Sequence, residues 1–290
     1  MKGKGQISME DVSFLEDNVS VVENYFEVSD GVQLKVFDFI PPGYTQQTPV
    51  IVFVAGWISL LQGWKSVLKV ITKEYRTLYI ETREKKSAQL PSGKTIHFSI
   101  DRMSLDVEEI LAGTISDQQH FYFLGSSLGS TIILHYLSMT RKHPKESFLI
   151  SPISEFPFPM WLLFVINFIP AGFYAVIKPV LKWYLKYFHL DRKNEPEQVK
   201  KYEGTIEAAE PGRLKANAYA IKDYNLWNRL EKIHTSVILI GAETDKLHGI
   251  DSLKKMVSRM PQAGLEMMKS NKETHSEVAG SFVVDRIRLG

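Results

Sequence analysis

Five short apolar runs punctuate the chain: PVIVFVAG (49–56), RTLYIE (76–81), HFYFLG (120–125), SFLISPIS (147–154) and TSVILIGAETD (235–245). Their cores are β-branched or aromatic and free of charge, the signature of strands buried on both faces. Helix-patterned stretches separate the first four, at about Trp64 to Glu74, Ser99 to Leu111 and after Gly125. Parallel neighbours need crossovers, and a helix is the usual crossover, so the alternation predicts βαβ units and a mostly parallel sheet. Upstream, VVENYFEV and VQLKVFDFI flank Ser29-Asp30-Gly31. Asp-Gly between two β-rich runs predicts a hairpin, which adds an antiparallel edge. Gly264 to Lys269 is a weaker strand, Val278 to Ile287 a terminal helix, and Gly113 a stop for the helix before it.

The alternation fails once. From Glu155 to about Trp227 no buried strand is expected, and Phe156 to Ile177 contains no charged residue. Its length would permit a membrane span. Pro157, Pro159 and Pro170 argue against one straight helix, because proline breaks the hydrogen-bond ladder. The expectation is an inserted, apolar helical cap spanning 155–228, between core segments 1–154 and 229–290. Lys178, Lys182 and Lys186 would suit a helix lying on a membrane surface and would equally suit a solvated face.

Composition narrows the function. At 290 residues, with 44 % hydrophobic side chains, the chain can bury a large core. A net charge of +2 with mixed signs gives no electrostatic case for nucleic acid. The absence of cysteine excludes disulfides and thiolate metal sites. The acidic turn in MKGKGQISMEDVSFLED, where a signal peptide would be apolar, points to a cytoplasmic protein.

The chemistry concentrates in FYFLGSSLGSTIILHYL, Phe121 to Leu137. Gly125-Ser126-Ser127-Leu128-Gly129 stands where a buried strand hands over to a helix. Gly-x-Ser-x-Gly in that context is a nucleophile elbow: the turn is tight, and its flanking positions must be small. Ser127 is the candidate nucleophile, and Ser126 a small residue beneath the turn. A phosphate loop is disfavoured because no lysine follows where it would be needed.

A serine hydroxyl needs a base, and the base needs an acid to hold its tautomer; after such an elbow they follow in that architecture's order, acid then histidine. Asp245, just past the strand VILIG, is the candidate acid, with Glu243 as runner-up. His97, His120, His135 and His143 are out of order, His189 and His234 precede the acid, and His248 is too close to it. His275, in KSNKETHSEVAG, is the candidate base. The oxyanion needs two backbone donors, expected from Leu128 and Trp57. In the cap, Trp161, Leu162, Phe164 and Phe168 are candidates for an acyl channel, or alternatively ordinary helix core. The chemistry calls for no cofactor and no metal.

On the elbow, the Ala55-Gly56-Trp57 turn, Asp245 and His275, the chain resembles the α/β-hydrolase family with a cap domain, the group of esterases, monoacylglycerol-lipase-like lipases and lysophospholipases. The resemblance spans nearly the whole chain. It implies an α/β-hydrolase fold, a mostly parallel twisted sheet with helices on both faces and an inserted helical cap. Two positions depart from the family pattern. Ala55 replaces its common histidine, and Glu81-Thr82-Arg83-Glu84-Lys85-Lys86-Ser87 replaces its Asp-x-Arg-Gly-x-Gly-x-Ser, so this loop is expected to be shaped differently. The implied activity is hydrolysis of carboxylic esters with an apolar acyl chain, with peripheral membrane contact through the cap as a further expectation. A thioesterase or acyltransferase would use the same triad, and a non-catalytic binding protein would keep only the fold. Members with a carboxylate nucleophile, the dehalogenases and epoxide hydrolases, are disfavoured by Ser127.

Overall fold

The computed structural model describes residues 13–15, 18–139, 142–156, 158–184, 203–245 and 249–290. Pro157, Lys186, His189 and His248 lie outside the described residues. Eight strands form one sheet: β1 (Ser20–Glu27), β2 (Gln33–Ile40), β3 (Val50–Val54), β4 (Arg76–Ile80), β5 (Phe121–Ser126), β6 (Ser147–Ile150), β7 (Val237–Ala242) and β8 (Ala263–Met268). Their order is β1-β2-β4-β3-β5-β6-β7-β8. β2 pairs antiparallel with β1 and β4, and every other neighbour is parallel. The predicted hairpin and parallel core are therefore both present.

The two faces carry separate cores. Helices α1 (Lys65–Ile71), α2 (Ile100–Thr114), α3 (Leu128–Leu137), α4 (Met160–Phe168), α5 (Tyr174–Tyr184), α6 (Pro211–Ile221), α7 (Ile250–Val257) and α8 (Glu277–Leu289) follow in chain order. Val50, Val52 and Val54 belong to one core with residues of α2, α3 and α7, while Ile51 and Phe53 belong to the other with residues of α1 and α8. All five residues of β3 are fully buried, which explains why the strand reads as a continuous apolar run rather than an alternation. α2 starts at the Ser99 cap, whose side chain accepts the Arg102 N–H.

Helix α2 ends near Gly113 as expected, one residue beyond it at Thr114. A Cβ on Gly113 would come within 2.5 Å of the Phe26 ring, so this glycine clears space for β1 against the helix. The predicted helix at Trp64 begins as a 3-10 turn, Leu61–Trp64, and becomes α1 at Lys65.

Between β6 and β7 the described residues hold α4, α5 and α6 and no sheet strand. The chain leaves and returns at one point. Glu155 and Asn225 form an isolated bridge, Asn225 Nδ2 donates to Glu155 Oε1 at 2.9 Å, and the Leu226 N–H donates to Ser154 O at 2.9 Å. α6 is anchored to the core: Arg213 Nη1 donates to Lys85 O at 2.7 Å and Ala88 O at 2.8 Å, and Asn217 Nδ2 to Phe98 O at 2.7 Å. Among the described residues no helix is long and apolar enough to cross a membrane.

Candidate active site

Ser127 sits between β5 and α3 with φ 49° and ψ −115°, in the left-handed half of backbone space that a serine rarely enters. Its N–H donates to Ile150 O at 2.8 Å, and its carbonyl accepts from the Thr131 N–H at 3.0 Å, so strand and helix both hold the strained residue. The glycines make the turn feasible. A Cβ on Gly125 would lie 2.7 Å from Ile133 Cδ1 and 2.9 Å from Ser130 Cα. One on Gly129 would lie 2.1 Å from Val54 O. The start of α3 is thereby pressed against the end of β3.

That contact brings the second loop in. A Cβ on Gly56 would lie 3.5 Å from Ser127 Cβ, so the turn after β3 abuts the elbow. The Ser59 N–H donates to Gly56 O at 3.1 Å and closes a four-residue turn with Trp57 and Ile58 at its centre. Ile58 has φ 48°. The left-handed region costs an ordinary residue roughly 1–2 kcal/mol, and β-branching makes it worse. Leu128, the other expected oxyanion donor, is the first residue of α3, where N–H groups have no partner within the helix and the dipole favours negative charge.

The acid and base candidates stand on the same sheet edge. Asp245 follows β7, its N–H donating to Ala242 O at 3.1 Å and its Oδ2 accepting from Ser151 Oγ at 2.9 Å. Ser151 follows β6 with φ 45°. Glu243, the runner-up, is exposed. His275 ends the 3-10 turn Glu273–His275 after β8. Its Nδ1 lies 3.0 Å from Asn271 O and 3.0 Å from Thr274 Oγ1. A carbonyl only accepts, so Nδ1 carries the proton and Nε2 is the basic nitrogen of the neutral ring. The two loops are joined, because the Asn271 N–H donates to Thr244 Oγ1 at 3.2 Å. The imidazole also lies on the buried Trp64 indole, centroids 4.3 Å apart at 30°, and Trp64 Nε1 donates to Ser59 Oγ at 2.8 Å. The base loop is thus tied to the acid loop on one side and to the turn that abuts Ser127 on the other.

The remaining described histidines are placed elsewhere. His97, His120, His143 and His234 are exposed. His135, on α3, is buried, with Nδ1 2.9 Å from the Tyr224 hydroxyl and Nε2 3.3 Å from Asp101 Oδ1. Burial holds its pKa below the usual histidine value, with Asp101 opposing the shift. Of the expected acyl-channel residues on α4, Trp161 and Leu162 are half-buried, whereas Phe164 and Phe168 are exposed with their rings 5.2 Å apart. Trp57 packs against Phe158 at 6.1 Å, which carries the turn after β3 to the start of the helical segment.

Sequence reasoning missed Ser151, Trp64 and Glu84. Ser151 ends an apolar strand on the edge where the chemistry gathers, and that position was its one available signal. Trp64 and Glu84 make their contacts across the fold; the unusual loop around Glu84 was visible in the sequence, but neither residue's partner was.

The chain superposes on known structures over nearly their full length. An enol-lactonase from Burkholderia xenovorans LB400 superposes with TM-score 0.73 at 16 % identity, covering 91 % of this chain and 98 % of that one. An esterase from Exiguobacterium antarcticum superposes with TM-score 0.71 at 15 % identity, covering 91 % and 99 %. MenH from S. aureus gives TM-score 0.69 at 15 % identity, covering 88 % and 98 %.

This chain has the α/β-hydrolase fold.

No protein-family description matches the sequence, and no curated protein does either. Ser127 stands in the turn after β5, Ser151 at the end of the neighbouring β6, Asp245 at the end of β7, and His275 in the loop after β8.

Proposed function

We propose that this α/β-hydrolase-fold protein is a serine hydrolase that cleaves carboxylic esters with an apolar acyl chain. The observation that carries the reading is Ser127, a non-glycine residue held at φ 49° at the start of α3. Strain of this kind survives only where the surroundings over-determine it, and it gathers at sites of chemistry. Ser127 Oγ attacks the ester carbonyl while His275 Nε2 takes its proton. Asp245 stabilises the imidazolium so formed. The N–H groups of Leu128 and Trp57 receive the oxyanion, stabilisation on the scale of about 3–4 kcal/mol per donor. The tetrahedral intermediate expels the alcohol, which leaves with the proton from His275. Water, activated by the same imidazole, then frees the acyl group from Ser127 and restores the enzyme. Every step uses groups of this chain.

The apolar-acyl preference and the cap at 155–228 belong to the same reading. Met160, Phe164 and Phe168 recur every fourth residue of α4 and are 81, 57 and 70 % exposed. Phe173, Val176, Val180 and Trp183 continue the apolar exposure, and residues 160–184 contain no acidic side chain. The two cations there, Lys178 and Lys182, both pair with Glu207. An exposed apolar helix face of this kind suits the plane of a lipid surface. Peripheral contact of this face with lipid would bring an ester with a long acyl chain to the mouth of the site.

The test is labelling with a fluorophosphonate probe. The native protein is expected to label and Ser127→Ala to lose the label. A native protein that stays unlabelled, or a mutant that labels equally, removes the catalytic assignment. Kinetics on p-nitrophenyl esters against acyl-CoA substrates then separate ester from thioester preference.

A further inference from the structure

The loop that departs most from the family pattern, Thr82 to Ser87, buries three charges, Arg83, Glu84 and Lys85, and Glu84 stands beside the turn after β3. Glu84 and Lys85 are 1 and 7 % exposed. Glu84 Oε1 accepts the Ile58 N–H at 3.3 Å and the Thr82 hydroxyl at 2.8 Å. Lys85 Nζ lies 5.8 Å from the Tyr79 ring centre, and neither it nor Glu84 Oε2 has a hydrogen-bond partner among the described residues. Desolvation raises the pKa of Glu84 and lowers that of Lys85, each partly offset by the charge of the other. Two buried charges whose polar atoms are left short of partners are costly to hold, and apolar residues of the same volume would do as well or better for stability. Their burial calls for another explanation.

That explanation lies in the atom Glu84 holds. The Ile58 N–H belongs to the peptide that follows Trp57, at the centre of a turn whose second central residue has φ 48°. Such a turn normally takes glycine there. An isoleucine stays only if something fixes the peptide plane, and a carboxylate is the stronger acceptor for that task. The carboxylate is itself held from behind. The Lys85 N–H donates to Thr82 O and the Ala88 N–H to Lys85 O, both at 3.1 Å. Arg213 of α6 clamps the Lys85 and Ala88 carbonyls from outside.

We propose that Glu84 is a positioning residue: it fixes the Trp57–Ile58 peptide and so aims the Trp57 N–H at the oxyanion. The inference rests on the serine-hydrolase reading and adds to it a residue that touches no substrate. A carboxylate that orients a donor used only in the transition state affects kcat and leaves ground-state binding alone.

Glu84→Ala and Glu84→Gln test it on a p-nitrophenyl ester, with amide exchange at Ile58 followed in parallel. Loss of an oxyanion donor costs about 100- to 1000-fold in kcat, and a misaimed donor costs part of that. Glu84→Ala is therefore expected to lower kcat by about 30-fold with KM within about three-fold, and to speed exchange of the Ile58 amide. Glu84→Gln keeps an acceptor oxygen and restores kcat to within about five-fold of the native value. A kcat unchanged in Glu84→Ala, a Gln variant as impaired as the Ala variant, or unaltered Ile58 exchange each overturns the proposal. If the native protein labels with fluorophosphonate while Glu84→Ala is unaffected, only the role of Glu84 falls. An unreactive native protein brings down the hydrolase reading together with this inference.

Discussion

The parallel sheet and the helical segment between β6 and β7 treat apolar side chains in opposite ways. In β3 all five residues are fully buried, and the helices on either face close over them. In α4 and α5 large apolar residues face outward: Met160 is 81 % exposed and Val176 72 %. Both stretches are apolar in sequence, and composition alone would treat them alike. Burial in the sheet stabilises the fold by roughly 25 cal/mol per Å². Exposed area in the segment contributes nothing to stability until another surface covers it. The contrast separates residues that hold the site in place from residues available for binding.

Two glycines sharpen that contrast most strongly. A Cβ on Gly129 would meet Val54 O at 2.1 Å and Ala55 O at 2.6 Å, backbone atoms that cannot swing aside. A Cβ on Gly172, in the 3-10 turn Ala171–Phe173, would meet nothing within 4 Å. Gly129→Ala is expected to cost roughly 3 kcal/mol or more and to abolish fluorophosphonate labelling, because α3 must retreat from β3 and carry the elbow with it. Gly172→Ala is expected to stay within about 0.5 kcal/mol. Denaturant melts of the two variants decide the matter, and equal midpoints would refute the claim that the sheet edge alone is rigidly packed.

A smaller effect comes from where the segment returns to the core. His135, buried on α3, meets the Tyr224 hydroxyl through Nδ1 and faces Asp101 through Nε2, with Arg229 3.9 Å from the same carboxylate. Its folded pKa lies below the unfolded value because burial outweighs the attraction of Asp101. The unfolded chain therefore binds the proton more readily. The stability this neutral ring contributes is full above the unfolded pKa, about 6.5, and is lost as pH falls toward the folded value. Unfolding midpoints between pH 7.5 and pH 5 are expected to decline, and His135→Gln to flatten part of that decline. A slope identical in the variant would show that other groups cause it.

How far the sequence displayed all this depends on the range of the interaction involved. The strands of the parallel core were visible because burial on both faces writes an uninterrupted apolar run. Ser127 was visible because its turn forces glycine at Gly125 and Gly129. Gly113 marked the end of its helix to within one residue, but its second role, admitting Phe26 from β1, depends on a distant strand and was invisible. Ser151 and Glu84 left only a position and an unusual loop, Trp64 nothing, and none of the three revealed its partner. Their partners, Asp245, His275 and Ile58, come from other strands' loops, and only the sheet order brings them together. Positive φ at Ile58 and Ser151 is equally silent, because neither residue type favours it.

The smallest expected change in stability accompanies the sharpest test of the helical segment. Phe164→Ser, Phe168→Ser and Val176→Ser together remove exposed apolar surface and touch no core residue. Surface changes of this kind stay within about 0.5 kcal/mol each, so the triple variant should melt close to the native protein. If the face lies on lipid, each side chain contributes up to about 1.5–3 kcal/mol when covered, and even half of that summed over three predicts at least about a tenfold loss of vesicle binding. Co-flotation with vesicles of mixed anionic and zwitterionic lipid measures it. Lys178 and Lys182 are already engaged by Glu207, so the binding is expected to persist in salt. A triple variant that floats like the native protein would exclude lipid contact through this face. A native dimer in solution that the same three changes dissolve would assign the face to a second copy of the chain instead.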